Sequence, residues 1–212
     1  MPSTAAYDAP APLTVGFDLD MTLLDTRPGI KATYEALVAE TGVPIDADLV
    51  VTRLGPPLAD ELANWFPAEH IPEMLTRYRA LYRDHAFAPT VPLPGALEAV
   101  AAVRSQGGRV VVITGKYEPN ARLHLEHAGI VSDALVGDLW AEGKGTALRE
   151  LGASVYVGDH LGDIVGARAA GAVAVGVATG PYSAEALTAA GADVALADLT
   201  GFPGWLAGHL AA

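Results

Sequence analysis

The sequence predicts an α/β fold, a doubly wound parallel sheet with an inserted small helical cap domain. Three observations lead there. Short β-branched runs recur as continuous apolar segments, which suits strands covered on both faces of a parallel sheet. Helix-like stretches alternate with them. The first gap between strands, however, is far longer than a single crossover needs. Of the 212 residues, 51% are hydrophobic and 18% charged, against a charged share of roughly 25% in ordinary domains. That balance supports a sizeable core and excludes a disordered acidic chain.

Residues 1–12, rich in Ala and Pro, read as a flexible tail. Leu13-Thr14-Val15-Gly16-Phe17 follows as a buried strand running into Asp18-Leu19-Asp20. Further strands are expected at 109–114, 134–136, 154–157 and 173–177, with a weaker sixth at 193–196. Helices fill the gaps: Gly95 to Gln106, stopped by Gly107-Gly108, then Glu118 to His127, Lys144 to Leu151, Asp163 to Ala170 and Ser183 to Ala190. The helix at 95–106 already supplies the crossover between the first two strands. Residues 26–88 are therefore an insertion leaving the functional end of the first strand, with helix-like segments at Ile30 to Glu40, Leu58 to Trp65 and Pro72 to His85. Three prolines, Pro89, Pro92 and Pro94, stiffen its exit. The core comprises 13–25 and 89–212. In such a sheet the ligand sits at the carboxyl ends of the strands.

Composition excludes several functions. With 13 Lys+Arg and 25 Asp+Glu the formal net charge is −12, which repels a phosphate backbone and argues against nucleic-acid binding. Cysteine is absent, which removes disulfides, thiolate metal sites and cysteine nucleophiles. No apolar run approaches the ~20 residues of a membrane span, and the N-terminus lacks the pattern of a signal peptide, so the expected location is cytoplasmic.

Three constellations fall just past strand ends. In Asp18-Leu19-Asp20-Met21-Thr22 two carboxylates crowd negative charge that a metal or a proton must compensate, unless they serve only as turn residues. In Gly158-Asp159-His160-Leu161-Gly162-Asp163 two acids four residues apart can face one side of a helix start, or act as capping acids. Together these acids form a hard oxygen-ligand set suited to Mg²⁺. The third, Thr114-Gly115-Lys116, offers a hydroxyl and backbone N–H groups as an anion cradle. Lys144 adds a cation at a helix start, where the dipole does not favour one; it is one of three lysines with Lys31 and Lys116. Acids for a metal, a hydroxyl and a lysine at successive strand ends form a phosphoryl-transfer pattern.

On these residues the sequence resembles the haloacid dehalogenase-like hydrolase superfamily, and within it the phosphoglycolate phosphatase-like group. The four motifs stand in order: Asp18-x-Asp20-x-Thr22, Thr114, Lys144, and Gly158-Asp159-x-x-x-Asp163. The resemblance implies a Rossmann-like catalytic core and a Mg²⁺-dependent phosphatase acting on a small phosphorylated metabolite. Asp18 would be the nucleophile that forms an aspartyl-phosphate, and Asp20 the general acid and base. Asp18, Asp20 (through its carbonyl), Asp159 and Asp163 would hold the metal. Thr114, Gly115 and Lys144 would bind the phosphoryl oxygens. One position departs from the family: Met21 stands where Gly is usual, which puts the loop geometry in doubt.

Within the superfamily, Asp20 argues against a dehalogenase, and Lys31 is a poor match for the Schiff-base lysine of phosphonate-cleaving relatives. A phosphomutase remains the alternative, since it shares the aspartyl-phosphate. From another class, a receiver-like phospho-acceptor or a binding module would need neither Asp20 nor a cap. For the substrate, Arg53, in Arg53-Leu54-Gly55-Pro56-Pro57-Leu58, is read first as a solvated surface arginine, with pairing to a substrate carboxylate or second anionic group as the functional alternative. Tyr78 and Tyr82 are expected in the cap core, His124 and His127 on a solvated helix face, and His160 as a bystander beside the metal motif. The oligomeric state is not legible.

Overall fold

The protein is described by a computed structural model over residues 13–212; the tail at 1–12 lies outside the described residues. In chain order the strands are β1 (Thr14–Phe17), β2 (Leu24–Asp25), β3 (Val91–Pro92), β4 (Arg109–Ile113), β5 (Ala134–Val136), β6 (Val155–Gly158), β7 (Val173–Val177) and β8 (Val194–Leu196). The helices are α1 (Arg27–Thr41), α2 (Ala47–Val51), α3 (Leu58–Leu62), α4 (Ile71–His85), α5 (Ala96–Ser105), α6 (Glu118–Ala128), α7 (Glu142–Leu151), α8 (Leu161–Ala170), α9 (Ala184–Ala189) and α10 (Phe202–Ala211).

Six strands form one sheet in the order β5-β4-β1-β6-β7-β8, and every pairing in it is parallel. The alternation of side chains explains why its strands read as unbroken apolar runs. Val110 and Val112 of β4, Val15 and Phe17 of β1, Val155 and Val157 of β6, and Val175 and Val177 of β7 share one core with α5, α6 and α10. Val111, Ile113, Tyr156 and Ala174 point the other way, into a second core with α7, α8 and α9. Each strand thus meets helices on both faces, and the chain winds outward from β1 in both directions. The carboxyl ends of β1, β4 and β6 lie side by side at the switch point, where a doubly wound sheet opens its crevice.

Between β1 and β4 the chain departs from this pattern. β2 and β3 pair antiparallel as a two-stranded ribbon, Leu24 opposite Pro92 and Asp25 opposite Val91. This ribbon was not foreseen; two residues per strand are too few to leave a periodic signal. Beyond it, α1–α4 build their own core. Ile30, Tyr34 and Leu37 of α1 stand at helical spacing and pack against Leu62 and against Tyr78, Leu81 and Tyr82 of α4. Tyr34 and Tyr78 lie with ring centroids 4.8 Å apart, and the Tyr82 ring meets Phe87 edge-on at 5.9 Å. Pro28 and Pro72 sit in the first turns of α1 and α4, where the missing N–H costs nothing. Two helices went unread in the sequence: α2, one turn capped by Asp46, and α10, whose Gly204, Gly208 and Pro203 mask an apolar segment that buries Phe202 and Leu206. No helix among the described residues is long and apolar enough to cross a membrane.

Candidate active site

Asp18 is the first residue after β1, and its backbone N–H donates to Val157 of β6, which fixes the loop against the neighbouring strand. Asp18, Asp159 and Asp163 are all buried, and one carboxylate oxygen from each lies within 4.8 Å of the others. Lys144 of α7, 1% exposed, reaches into this cluster, its Nζ 2.6 Å from Asp163 Oδ1 and 3.2 Å from Asp18 Oδ1. A buried lysine of this kind stays charged: burial lowers its pKa, but Asp163 and Asp18 raise it further, above the ordinary lysine range.

The three acids are not equivalent. Asp163 is engaged at both oxygens: Oδ1 accepts from Lys144 Nζ at 2.6 Å and Oδ2 from the His160 backbone N–H as part of a capping box on α8, while the nearby Tyr156 hydroxyl donates to the Ile113 carbonyl at 2.6 Å. Asp159 Oδ1 accepts from the Thr22 hydroxyl at 2.9 Å. Asp18 Oδ1 is buried and accepts no well-aligned hydrogen bond. Burial pushes the Asp18 carboxyl up to about 7, Lys144 opposing and Asp163 and Asp20 adding to the rise. Asp159 is likewise raised, by burial and then by Asp163 and Asp18. One lysine does not balance three buried carboxylates, and an orphaned carboxylate oxygen among them is the donor set of a hard divalent cation. Asp18 and Asp159 are the free donors, with Asp163 positioning Lys144.

Two glycines make this crowding possible. A Cβ on Gly158 would come within 2.3 Å of the Asp163 side chain, and one on Gly180, in the loop after β7, within 1.8 Å of Asp159 Oδ2. Met21 resolves differently from expectation. It adopts the left-handed φ of 58° that glycine would take, with its side chain only 2% exposed. Its N–H donates to Leu24 and its carbonyl accepts from Thr179 Oγ1 at 2.6 Å, so the turn is kept by burial and these two bonds despite the steric cost of about 1–2 kcal/mol.

Asp20 faces away from the acid cluster. Its Oδ1 accepts from Thr26 Oγ1 and Lys116 Nζ, both at 2.6 Å. Burial raises its pKa, but the Lys116 charge and these hydrogen bonds outweigh it and hold the carboxyl below the ordinary range. Lys116 also sits 4.8 Å from the centre of the Tyr82 ring. This lysine stood in the Thr114-Gly115-Lys116 motif without a role; its only sequence signal was its position two residues after a strand end. Thr114, 1% exposed, and Gly115 lie at the end of β4 and line the same cavity as Asp18 and Asp20.

That cavity, about 240 Å³, opens between the strand ends and the inserted helices. Arg53 is in its wall, but its guanidinium forms a two-pronged pair with Glu61 at 2.7 and 2.9 Å, and Glu61 also accepts from the Trp65 indole. Arg79 lies flat over Tyr117 at 3.9 Å with Nη2 3.5 Å from Asp138. His160 caps α8 and stacks edgewise between Trp140 and Tyr182 at 4.9 and 4.8 Å.

The expectation of a solvated His124 is overturned. Its side chain is fully buried, with Nε2 2.7 Å from the Tyr82 hydroxyl and its ring 4.6 Å from Phe87, because α4 packs over this end of α6. Burial, with Lys116 nearby, pushes the imidazole down to about 3 from an ordinary 6.5. Across that interval only the unfolded chain takes up the proton, so stability falls as pH drops, by about 1.4 kcal/mol per unit for this group. Urea unfolding between about pH 7 and 4.5 should show His124→Gln losing that part of the slope; an equal slope in both proteins contradicts the assignment.

A parallel doubly wound sheet whose central strand ends carry a buried carboxylate cluster, a lysine and a threonine defines a hydrolase of the phosphoryl-transfer type. Comparison with known proteins agrees. The sequence profile of the haloacid dehalogenase-like hydrolases matches residues 15–177, and the chain belongs to that family. It is 32% identical over 199 residues to the "Probable phosphatase IndB" of Dickeya dadantii, covering 84% of this chain and 86% of that one. It is 33% identical to the phosphoglycolate phosphatase of Neisseria gonorrhoeae, over 78% and 80% of the two chains. It is also 30% identical to the tyrosine-protein kinase PtkA of Mycobacterium tuberculosis, over 79% of this chain and 62% of that longer one. Among solved structures, a haloacid dehalogenase-like family protein of Streptococcus pneumoniae shares the fold with a TM-score of 0.79 at 22% identity, over 94% and 98% of the chains.

Proposed function

We propose that the chain is a Mg²⁺-dependent phosphatase that hydrolyses the phosphomonoester of a small metabolite. The carrying observation is Asp18, which lines the cavity and whose buried Oδ1 has no hydrogen bond and only the Lys144 ammonium beside it at 3.2 Å. Asp18 attacks phosphorus in line and the phosphoryl oxygens rest against Thr114, Gly115 and Lys144, which spread the developing charge. Asp20, in its protonated form, delivers a proton to the leaving oxygen, and the resulting carboxylate, held by Lys116, then accepts one from the water that cleaves the aspartyl-phosphate. Its low pKa favours the second of these roles. Asp18, Asp159 and the Asp20 carbonyl would hold Mg²⁺, with Asp163 beside them, and the ion would supply charge neutralisation of the carboxylates and Lewis-acid polarisation of the phosphoryl group. Helices α1–α4 act as the cap that keeps bulk water from the intermediate. The phosphatase-named relatives support this reading.

Release of inorganic phosphate from a panel of small phosphomonoesters, with and without Mg²⁺, tests it; no release from any ester would sink it. Metal binding has a second readout. At a hundredfold excess over Kd, a ligand specific to the folded state adds about 2.7 kcal/mol, or roughly 5–10 °C in Tm for a domain of this size. Mg²⁺ is expected to give such a shift, EDTA to reverse it and Asp159→Asn to lose it. Equal melting with and without metal would contradict the assigned ligands.

A further inference from the structure

Much of the cavity wall around Asp18 is apolar. Beyond Asp18 and Thr114 its walls include Ile30, Tyr34, Leu58 and Tyr78 of the inserted helices, Leu54 of the loop before α3, and Trp140 from the core. A dry apolar cavity of roughly 150 Å³ holds a benzene-sized ligand; at about 240 Å³ this one has room for a phosphoryl group and a ring together. The cations in its wall are already matched. Arg53 is paired with Glu61, Lys116 with Asp20, and Arg79 lies on Tyr117 facing Asp138. A substrate carboxylate would have to break one of these pairs, whereas an apolar body loses only water.

We infer that the substrates of this site are phosphomonoesters of bulky apolar alcohols, about an aromatic ring in size, in preference to phosphoglycolate. The inference rests on the phosphatase reading. The test compares kcat/KM of the full chain with Mg²⁺ for benzyl phosphate, ethyl phosphate and phosphoglycolate, all esters of poor alkoxide leaving groups. Benzyl phosphate should exceed both others about tenfold or more, following the apolar area it buries. Leu54→Trp, which fills the cavity, should bring the benzyl-to-ethyl ratio toward one; a ratio within one variant does not depend on how much of it is folded. Equal or higher kcat/KM for phosphoglycolate or ethyl phosphate overturns the inference and leaves the phosphatase reading standing. If none of the three turns over, the wider ester panel decides the phosphatase reading, and calorimetry with benzylphosphonate and ethylphosphonate decides the cavity: binding of the benzyl compound tighter by about tenfold supports the inference, and equal or undetectable binding of both overturns it.

Discussion

Asp18→Asn is expected to lower kcat for phosphomonoester hydrolysis by about 10,000-fold or more, the scale of losing a covalent nucleophile, without loss of fold. The amide keeps the shape of the side chain but cannot form the acyl phosphate. The structural cost runs the other way. In the metal-free protein the folded pKa of Asp18, about 7, lies above its ordinary 3.8. Its ionisation therefore weakens the fold progressively as pH rises through that window, and the deficit is complete above it. Removing one of three crowded buried acids relieves this, so the metal-free variant should melt at or above the wild-type temperature at about pH 8. Activity assays and melting curves on the same sample separate the two effects. Residual turnover within about tenfold of wild type would remove Asp18 from the nucleophile's role, and a lower Tm would show that the acid is structural.

Lys144→Met has the opposite signature. Lys144 is the ammonium between Asp163 and Asp18, and its stem is wholly buried. Methionine fills much of that volume but leaves the carboxylates without their cation, and breaking a buried pair from one side costs about 3–5 kcal/mol. With an m-value of about 2 kcal/mol per molar urea, the unfolding midpoint should drop by roughly 1.5–2.5 M. The double variant Lys144→Met/Asp163→Asn should recover part of the loss, because the stranded charge goes with it. Mg²⁺ should also offset part of it by occupying the same acids. A loss below about 1 kcal/mol would mean that the acids tolerate each other without Lys144.

The sheet was legible because its strands are buried on both faces: Val110-Val111-Val112-Ile113 is apolar throughout, and the structure divides those residues between two cores. The site followed from position, since a residue just past a parallel strand end has few places to go. Asp18, Asp159, Asp163 and Lys144 converge because β1 and β6 are neighbours and α7 packs beside α8. What escaped depends on contacts between distant segments. Lys116 gains its meaning from Asp20, which precedes the inserted helices, and from Tyr82, in the last of them. His124 looks solvated in sequence because Arg122, Glu126 and His127 stand around it; the helix that buries it, α4, lies some forty residues earlier. Arg53 was read as an open cation because Glu61, eight residues on, gave no sign that α3 would turn it back. Met21 was read as a threat to the loop because steric preference is local, whereas the Thr179 bond that stabilises its carbonyl comes from the far end of the chain.

The account turns on a covalent intermediate, and the stereochemical course at phosphorus tests it without requiring the intermediate to accumulate. With an isotopically chiral thiophosphate ester hydrolysed in labelled water, two successive in-line displacements, first by Asp18 and then by water, must give net retention. Net inversion would mean that water attacks the ester directly, and would contradict the role assigned here to Asp18.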